Sequence, residues 1–174
     1  MTREENHATF AGGCFWCVQH DFDHVIGVLS TSVGYTGGHL AHPTYEQVCK
    51  GTTGHVEAIQ IVFDPKQLSY HKLLTLFLHM IEPNRSEGQF CDIGAQYRPV
   101  IFYHNEEQRQ IAEKVIQQLE KTMGPLSVAI EPASVFYPAE EHHQKFYQKE
   151  TGHYERYSKG SGRARRLKDI WGKG

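Results

Sequence analysis

One short stretch restricts the fold more than any other. From His55 to Phe63 the side chains alternate, with Val56, Ala58, Gln60 and Val62 facing one way and Glu57, Ile59, Ile61 and Phe63 the other. That two-residue period belongs to a strand, and Asp64-Pro65 closes it. Shorter signals surround it. Ala8 to Ala11 forms a strand ended by Gly12-Gly13, and a helix follows over Phe15 to Asp23. Val25 to Tyr35 is rich in β-branched residues and runs into the turn Thr36-Gly37-Gly38, which predicts another strand. Residues 36–54 form a long loop with a helical turn near Tyr45 to Cys49. A loop of that length in a compact domain usually serves function. Ser69 caps a helix over Tyr70 to Ile81, with Leu73, Leu74, Phe77 and Leu78 on its apolar face. Pro83 to Gly94 is a loop. Tyr97 to Tyr103 is a strand, with Pro99 predicting an edge position or a bulge. Asn105 caps a helix over Glu106 to Met123 that Gly124-Pro125 ends. Ser127 to Glu131 gives a last strand and Ala139 to Lys149 a helix.

The order βαββαβ, then αβ, predicts an α+β fold of two layers, a ferredoxin-like α/β plait with helices on one face of a mainly antiparallel sheet. At 174 residues, 39% hydrophobic and 22% charged, the chain suits one globular domain. Residues 1–150 are expected to form the catalytic domain. From Thr151 the character changes: Arg156, Lys159, Arg163, Arg165, Arg166 and Lys168 lie among glycines and serines. A solvated, mobile tail over 151–174 is expected, and weak attraction to an acidic partner or nucleic acid is the sharper alternative. The net charge of −2 gives no reason to expect nucleic acid. No apolar run is long enough to span a bilayer, and Met1 to Thr9 shows no signal-peptide pattern. A cytoplasmic monomer without membrane attachment is expected. In a reducing cytosol its four cysteines are reactive, metal-binding or buried rather than bridged.

Chemistry concentrates at Gly12-Gly13-Cys14-Phe15-Trp16-Cys17. A glycine turn after a strand puts Cys14 at the start of a helix, where free backbone N–H groups favour an anion. Such a setting can lower a thiol pKa from about 8.5 to about 7 or below. Cys14 is therefore the candidate nucleophile, and Phe15 and Trp16 beside it suit a partly apolar substrate. Cys14 and Cys17 lie one helical turn apart, with about 5–6 Å between Cβ atoms on a regular helix. A disulfide needs them closer, so a reversible redox pair requires a distorted first turn. Two small buried side chains are the plainer alternative. Zinc needs further ligands at suitable spacing. Cys49 and Cys91 are not so paired, and His142-His143 is adjacent, so neither metal nor cofactor is expected.

Gly13-Cys14-Phe15-Trp16 resembles the signature of the peptide methionine-S-sulfoxide reductases. Further stretches resemble that family's motifs in order: Gly34-Tyr35-Thr36-Gly37-Gly38, Pro43-Thr44-Tyr45, Gly54-His55-Val56-Glu57, Asp92 to Arg98 and Phe136-Tyr137-Pro138-Ala139-Glu140. The resemblance implies reduction of the S epimer of methionine sulfoxide, free or in peptides, with thioredoxin as electron donor. It implies Cys14 as the nucleophile that becomes a sulfenic acid. Phe15 and Trp16 would wall the S-methyl group. Glu57 would protonate the sulfoxide oxygen, Tyr45 and Tyr97 would donate hydrogen bonds to it, and Asp92 would order the polar side. Taken alone, Glu57 suits the solvated face of a strand, Tyr45 and Tyr97 suit surface or core, and Asp92 suits a loop turn. His55 is read as a packing or hydrogen-bonding residue. The tail lacks the cysteine that resolves the sulfenic acid in many members, so Cys17 takes that role by resemblance to the Gly-Cys-Phe-Trp-Cys variant. Cys91, beside Asp92, and more weakly Cys49 remain open. A thioredoxin-like disulfide oxidoreductase, a cysteine hydrolase using Cys14, His55 and Asp92, and a zinc-dependent interaction module are the competing readings.

Overall fold

The computed structural model describes residues 7–85 and 88–171. Strand β1 (His7–Ala11) leads into helix α1 (Phe15–Phe22), strand β2 (Val28–Thr36), the short helix α2 (Tyr45–Cys49), strand β3 (Val56–Phe63) and helix α3 (Tyr70–Leu78). Two-residue strands β4 (Gly88–Gln89) and β5 (Asp92–Ile93) pair as a small hairpin. Strand β6 (Val100–Tyr103), helix α4 (Glu106–Met123), strands β7 (Ala129–Pro132) and β8 (Tyr137–Pro138), and helices α5 (Phe146–Lys149), α6 (Thr151–Ser161) and α7 (Arg163–Trp171) complete the chain. The main sheet has the order β7-β6-β1-β3-β2-β8. Every neighbouring pair in it is antiparallel except β6 and β7.

Helices α1, α3 and α4 pack on one face of this sheet. Phe10, Val33, Tyr35, Ile59, Ile61 and Ile101 from the strands pack against Phe15, Val18 and Phe22 of α1, Leu73, Leu74 and Phe77 of α3, and Ala112 and Ile116 of α4. Phe10 stacks on Phe77 with ring centroids 4.6 Å apart, which ties the central strand to α3. The other face carries Ala11, Val56, Ala58, Val100 and Phe102, covered by Ala133 and Phe136. The expected caps are in place: Ser69 accepts from Lys72 N at 3.1 Å and Asn105 from Gln108 N at 2.9 Å. Each cap contributes about 1 kcal/mol to its helix. Thr44 and Gln47 form a reciprocal capping box that starts α2 at Tyr45. Among the described residues no helix is long and apolar enough to cross a membrane.

Four local expectations need correction. The strand begins at Val100, after a 3-10 turn at Ala95–Tyr97, so Pro99 lies outside the ladder, and β6 sits inside the sheet between β1 and β7. The helix expected over Ala139 to Lys149 is broken into a 3-10 turn at Glu141–His143 and α5. Tertiary hydrogen bonds pull it apart: Gln144 bonds both Val33 N and Val33 O, and Lys145, with φ +56°, gives its N–H to Gln19 Oε1. The loop after Pro83 contains the β4–β5 hairpin, and its residues 86–87 lie outside the described residues. Finally, residues 151–171 are not a solvated tail. They form α6 and α7, hinged at Gly162 with φ +70°, and Tyr154 and Arg163 are buried. Cross-links hold them: Arg163 pairs with Asp21 at 2.8 Å, and Arg166 with the buried Glu82 at 2.7 Å. Residues 172–174 lie outside the described residues.

Candidate active site

The site is built where β1 turns into α1. Gly13 has φ +77°, and a Cβ there would come within 2.7 Å of Gln89 Cβ, so only glycine fits the turn. Its N–H donates to Tyr97 O at 3.1 Å, which ties the turn to the 3-10 segment. Cys14 then stands at the N-cap of α1 with extended backbone. Strand β3 brings Glu57 up beside it, opposite Tyr35 of β2. The alternation that hides Ile59 and Ile61 also hides Glu57, which is 2% exposed. Glu57 Oε1 accepts the Phe15 N–H at 3.2 Å, while Oε2 is buried with no protein partner. Burial pushes the Glu57 carboxyl up to about 8. The Phe15 N–H opposes this, and the charges of Asp92 and Cys17 add to it.

Aromatic rings surround this carboxyl. Phe15 is buried and lies 5.8 Å from Tyr35 and 6.3 Å from Tyr45, centroid to centroid. Burial, and then the charge of Glu57, raises the phenols of Tyr45 and Tyr97, so both remain hydrogen-bond donors at neutral pH. Glu140 holds the group together: its Oε1 accepts from Tyr35 OH at 2.8 Å and its Oε2 from Tyr45 N at 2.9 Å. Trp16 stacks on Phe146 at 3.9 Å, meets Tyr157 edge-on at 5.6 Å, and gives its indole N–H to His143 Nδ1 at 3.1 Å. Burial pushes His143 down to about 4, so its ring is neutral. The Tyr157 hydroxyl donates to Asp92 Oδ2. Gly12, Cys14, Cys17, Phe90, Asp92, Tyr157, Ser161 and Arg163 line one tight cavity beside the sulfur pair, too narrow for a water molecule.

The charge on that pair is opposite to the sequence expectation. Burial, then contact with Cys17, then the charges of Glu57 and Asp92 push the Cys14 thiol well up. The first N–H of α1, which could have stabilised a Cys14 thiolate, is committed to Glu57. Cys17 is the lowered thiol. The Cys14 thiol beside it lowers it most, burial opposes, and Arg163 and the Tyr154 hydroxyl add to the lowering.

The structure brings Cys14, Phe15, Trp16, Cys17, Tyr45, Glu57, Asp92 and Tyr97 into one neighbourhood. Cys49 and Cys91 lie at its exposed margin, next to Tyr45 and Tyr157 respectively. His55 stands apart as a structural residue: Nδ1 accepts Gly38 N–H at 3.0 Å and Nε2 reaches Leu40 O at 2.7 Å. Both ring nitrogens are thus engaged, which removes the base that a hydrolase would need. Among the described residues no three His, Cys, Asp or Glu side chains converge as a metal site. Sequence reasoning assigned no role to Glu140, His143, Tyr154, Tyr157 or Arg163. The available signal was the spacing of Tyr154 and Tyr157 three apart, which places two rings on one helical face.

The family model described as peptide methionine sulfoxide reductase matches residues 6–174. The chain belongs to the peptide methionine sulfoxide reductase family. A family member from Listeria innocua is 52% identical over 148 residues, covering 83% of this chain and 84% of its own length. Another, from Bacillus licheniformis, is 48% identical over 176 residues, covering 99% and 97%. Mxr1 from Saccharomyces cerevisiae, in reduced form, superposes with a TM-score of 0.79 at 29% identity, over 83% of this chain and 85% of Mxr1. The same yeast protein in complex with Trx2 is similar at a TM-score of 0.58 and 21% identity, over 79% of this chain and 82% of that one. The match to the peptide methionine sulfoxide reductase model includes α6 and α7 as well as the sheet.

Proposed function

We propose that this methionine sulfoxide reductase acts on the S epimer of methionine sulfoxide, free or in proteins, with Cys14 as nucleophile and Glu57 as acid. The observation that carries the reading is Glu57 itself: a carboxyl held neutral by burial, one oxygen unpartnered, one residue's reach from Cys14. A sulfoxide oxygen gains negative charge when a thiol attacks its sulfur, so a positioned acid speeds that step by about 10²–10⁴-fold. Tyr45 and Tyr97 donate to the same oxygen, Phe15 and Trp16 enclose the methyl group, and Asp92 orders the polar side. Cys14 attacks sulfur as Glu57 protonates the oxygen, and the thiol proton of Cys14 passes to the Glu57 carboxylate. The oxygen passes to Cys14, methionine leaves, and Cys14 is left as a sulfenic acid. Cys17 then displaces that oxygen as water, which gives a Cys14–Cys17 disulfide. Cys91 and Cys49 are exposed, whereas Cys17 is buried on α1 one turn from Cys14, which supports Cys17 as the resolving residue.

Thioredoxin is the proposed reductant. The yeast neighbour solved with Trx2 supports this, as does the chemistry, because a dithiol reduces a Cys14–Cys17 disulfide by thiol exchange. A reducing, cytoplasmic setting follows from that donor. The strand order β6-β1-β3-β2 with α1 and α3 on one face supports classing the core as a ferredoxin-like plait. Residues 1–150 would then be the catalytic unit, with 151–171 packed over its cysteine pair. The reading is tested with purified protein and dithiothreitol: methionine S-sulfoxide is converted and the R epimer is left. Reduction of insulin disulfides without sulfoxide reduction would instead identify a thioredoxin-like oxidoreductase, a chemistry for which Glu57 and the aromatic wall have no use.

A further inference from the structure

The geometry points to Arg163 and Tyr154, from the two C-terminal helices, as positioning residues that hold Cys17 ready for the disulfide-forming step; this rests on Cys17 being the resolving cysteine. Cys17 and Asp21 lie one turn apart on the same face of α1. Arg163 enters over that face. Its guanidinium meets Asp21 Oδ2 at 2.8 Å, donates to Met80 O at 2.9 Å and lies 5.6 Å over the Phe90 ring. The side chain is 10% exposed and lines the same cavity as Cys14 and Cys17. Tyr154 packs directly on Cys17 together with Phe146 and Tyr147, and its hydroxyl is turned to the sulfur. A buried guanidinium is costly unless opposite charge faces it. Here Asp21 supplies one such charge, and a Cys17 thiolate supplies another.

Other charged and titratable groups surround the same sulfur: Cys14 and Asp21 on α1, Glu57 on β3, Cys91 before β5, and Tyr157 on α6. Asp21 acts against a second negative charge. Arg163 and the Tyr154 O–H act for it. The step they serve is balanced. The Cys17 thiolate attacks the Cys14 sulfur of the sulfenic acid, the S–S bond forms and the S–O bond breaks. The departing hydroxide takes up the proton that Cys17 shed and leaves as water. Cys14 sulfur is reduced as Cys17 sulfur is oxidised, so no outside reagent enters. The segment that looks like a basic tail thereby contributes to chemistry through Cys17, without touching substrate.

The test separates the two steps. The full-length protein and its R163Q, R163K and Y154F variants each receive one equivalent of methionine S-sulfoxide. Methionine released and disulfide formed are followed by quench and mass mapping between pH 6 and 9. In R163Q the release of about one methionine per enzyme persists, while disulfide formation slows about tenfold at pH 7, and the gap closes as pH rises, since a less stabilised thiolate forms only at higher pH. R163K recovers most of the rate, and Y154F slows it about threefold. A rate within twofold of the parent in R163Q, or a slowing that is the same at every pH, overturns the proposal. So does a lysine variant as slow as the glutamine one. Should R163Q fail to fold, Y154F decides by the same pH profile: a slowing that fades with pH supports the proposal, and an unchanged rate overturns it. If the parent releases no methionine, the functional reading has failed instead. Alkylation of Cys17 by iodoacetamide then still reports on Arg163, because its pH midpoint rises in R163Q if the charge matters and stays fixed if not.

Discussion

Replacing Glu57 by glutamine should move activity and stability in opposite directions. The carboxyl sits near pKa 8 in the fold, against 4.5 for the free group. At pH 7 it is then about nine-tenths protonated, whereas an unshifted glutamate would be well under 1% protonated. In its proposed role that proton goes to the sulfoxide oxygen, so Glu57→Gln should slow methionine release by about 10²–10⁴-fold. The same shift destabilises the native state. Because the folded pKa lies above the unfolded one, the native protein keeps its full stability below about pH 4.5 and loses some as pH rises toward 8. At pH 7 that loss is about 3 kcal/mol, taking 1.36 kcal/mol per pH unit. Glutamine does not titrate, but it buries one more unpaired donor at about 1–3 kcal/mol. The net gain is about 0–2 kcal/mol, or a Tm rise of up to roughly 8 °C at pH 7. Single-turnover release of methionine and thermal unfolding at pH 4.5, 7 and 8.5 measure both effects. An activity loss below threefold refutes the acid assignment. A Tm advantage that does not shrink as pH falls to 4.5 refutes the buried neutral carboxyl.

Other outcomes follow from the same geometry. Cys14→Ser should release no methionine, whereas Cys17→Ser should release about one per enzyme and then stall with thioredoxin; steady thioredoxin turnover in the latter would reassign the resolving residue. Gly13→Ala forces a side chain into φ +77° and against Gln89, so urea unfolding should show a loss of about 1–3 kcal/mol. An unchanged midpoint would mean that the turn can relax. Glu82→Gln removes the buried charge that binds Arg166 at 2.7 Å and accepts the Phe90 N–H. A loss of about 1–3 kcal/mol is expected, with limited proteolysis cutting first in α7.

Much of this molecule was legible in local pattern. The alternation through β3, the caps at Ser69 and Asn105, the helical turn at Tyr45 and the glycine turn before Cys14 all rest on interactions within a few residues, which the chain carries wherever it goes. The residues that meet at the candidate site were also legible, through ordered motifs. Less visible was anything that depends on distant partners. The helix expected over Ala139 to Lys149 breaks because Gln144 and Lys145 find Val33 and Gln19. Pro99 suggested an edge, yet β6 lies inside the sheet because β7 returns in parallel beside it.

The amino-acid order alone determined which atoms could react: a cysteine pair one turn apart after a glycine turn, with an acid on a strand and rings around it. Only the tertiary structure decided what surrounds each sulfur. A helix start favours an anion, but Glu57 takes its first N–H, and Arg163 arrives 146 positions after Cys17 to face the other thiol. Periodicity is a property of neighbours, whereas a pKa is set by whatever burial and charge the folded chain gathers around one atom.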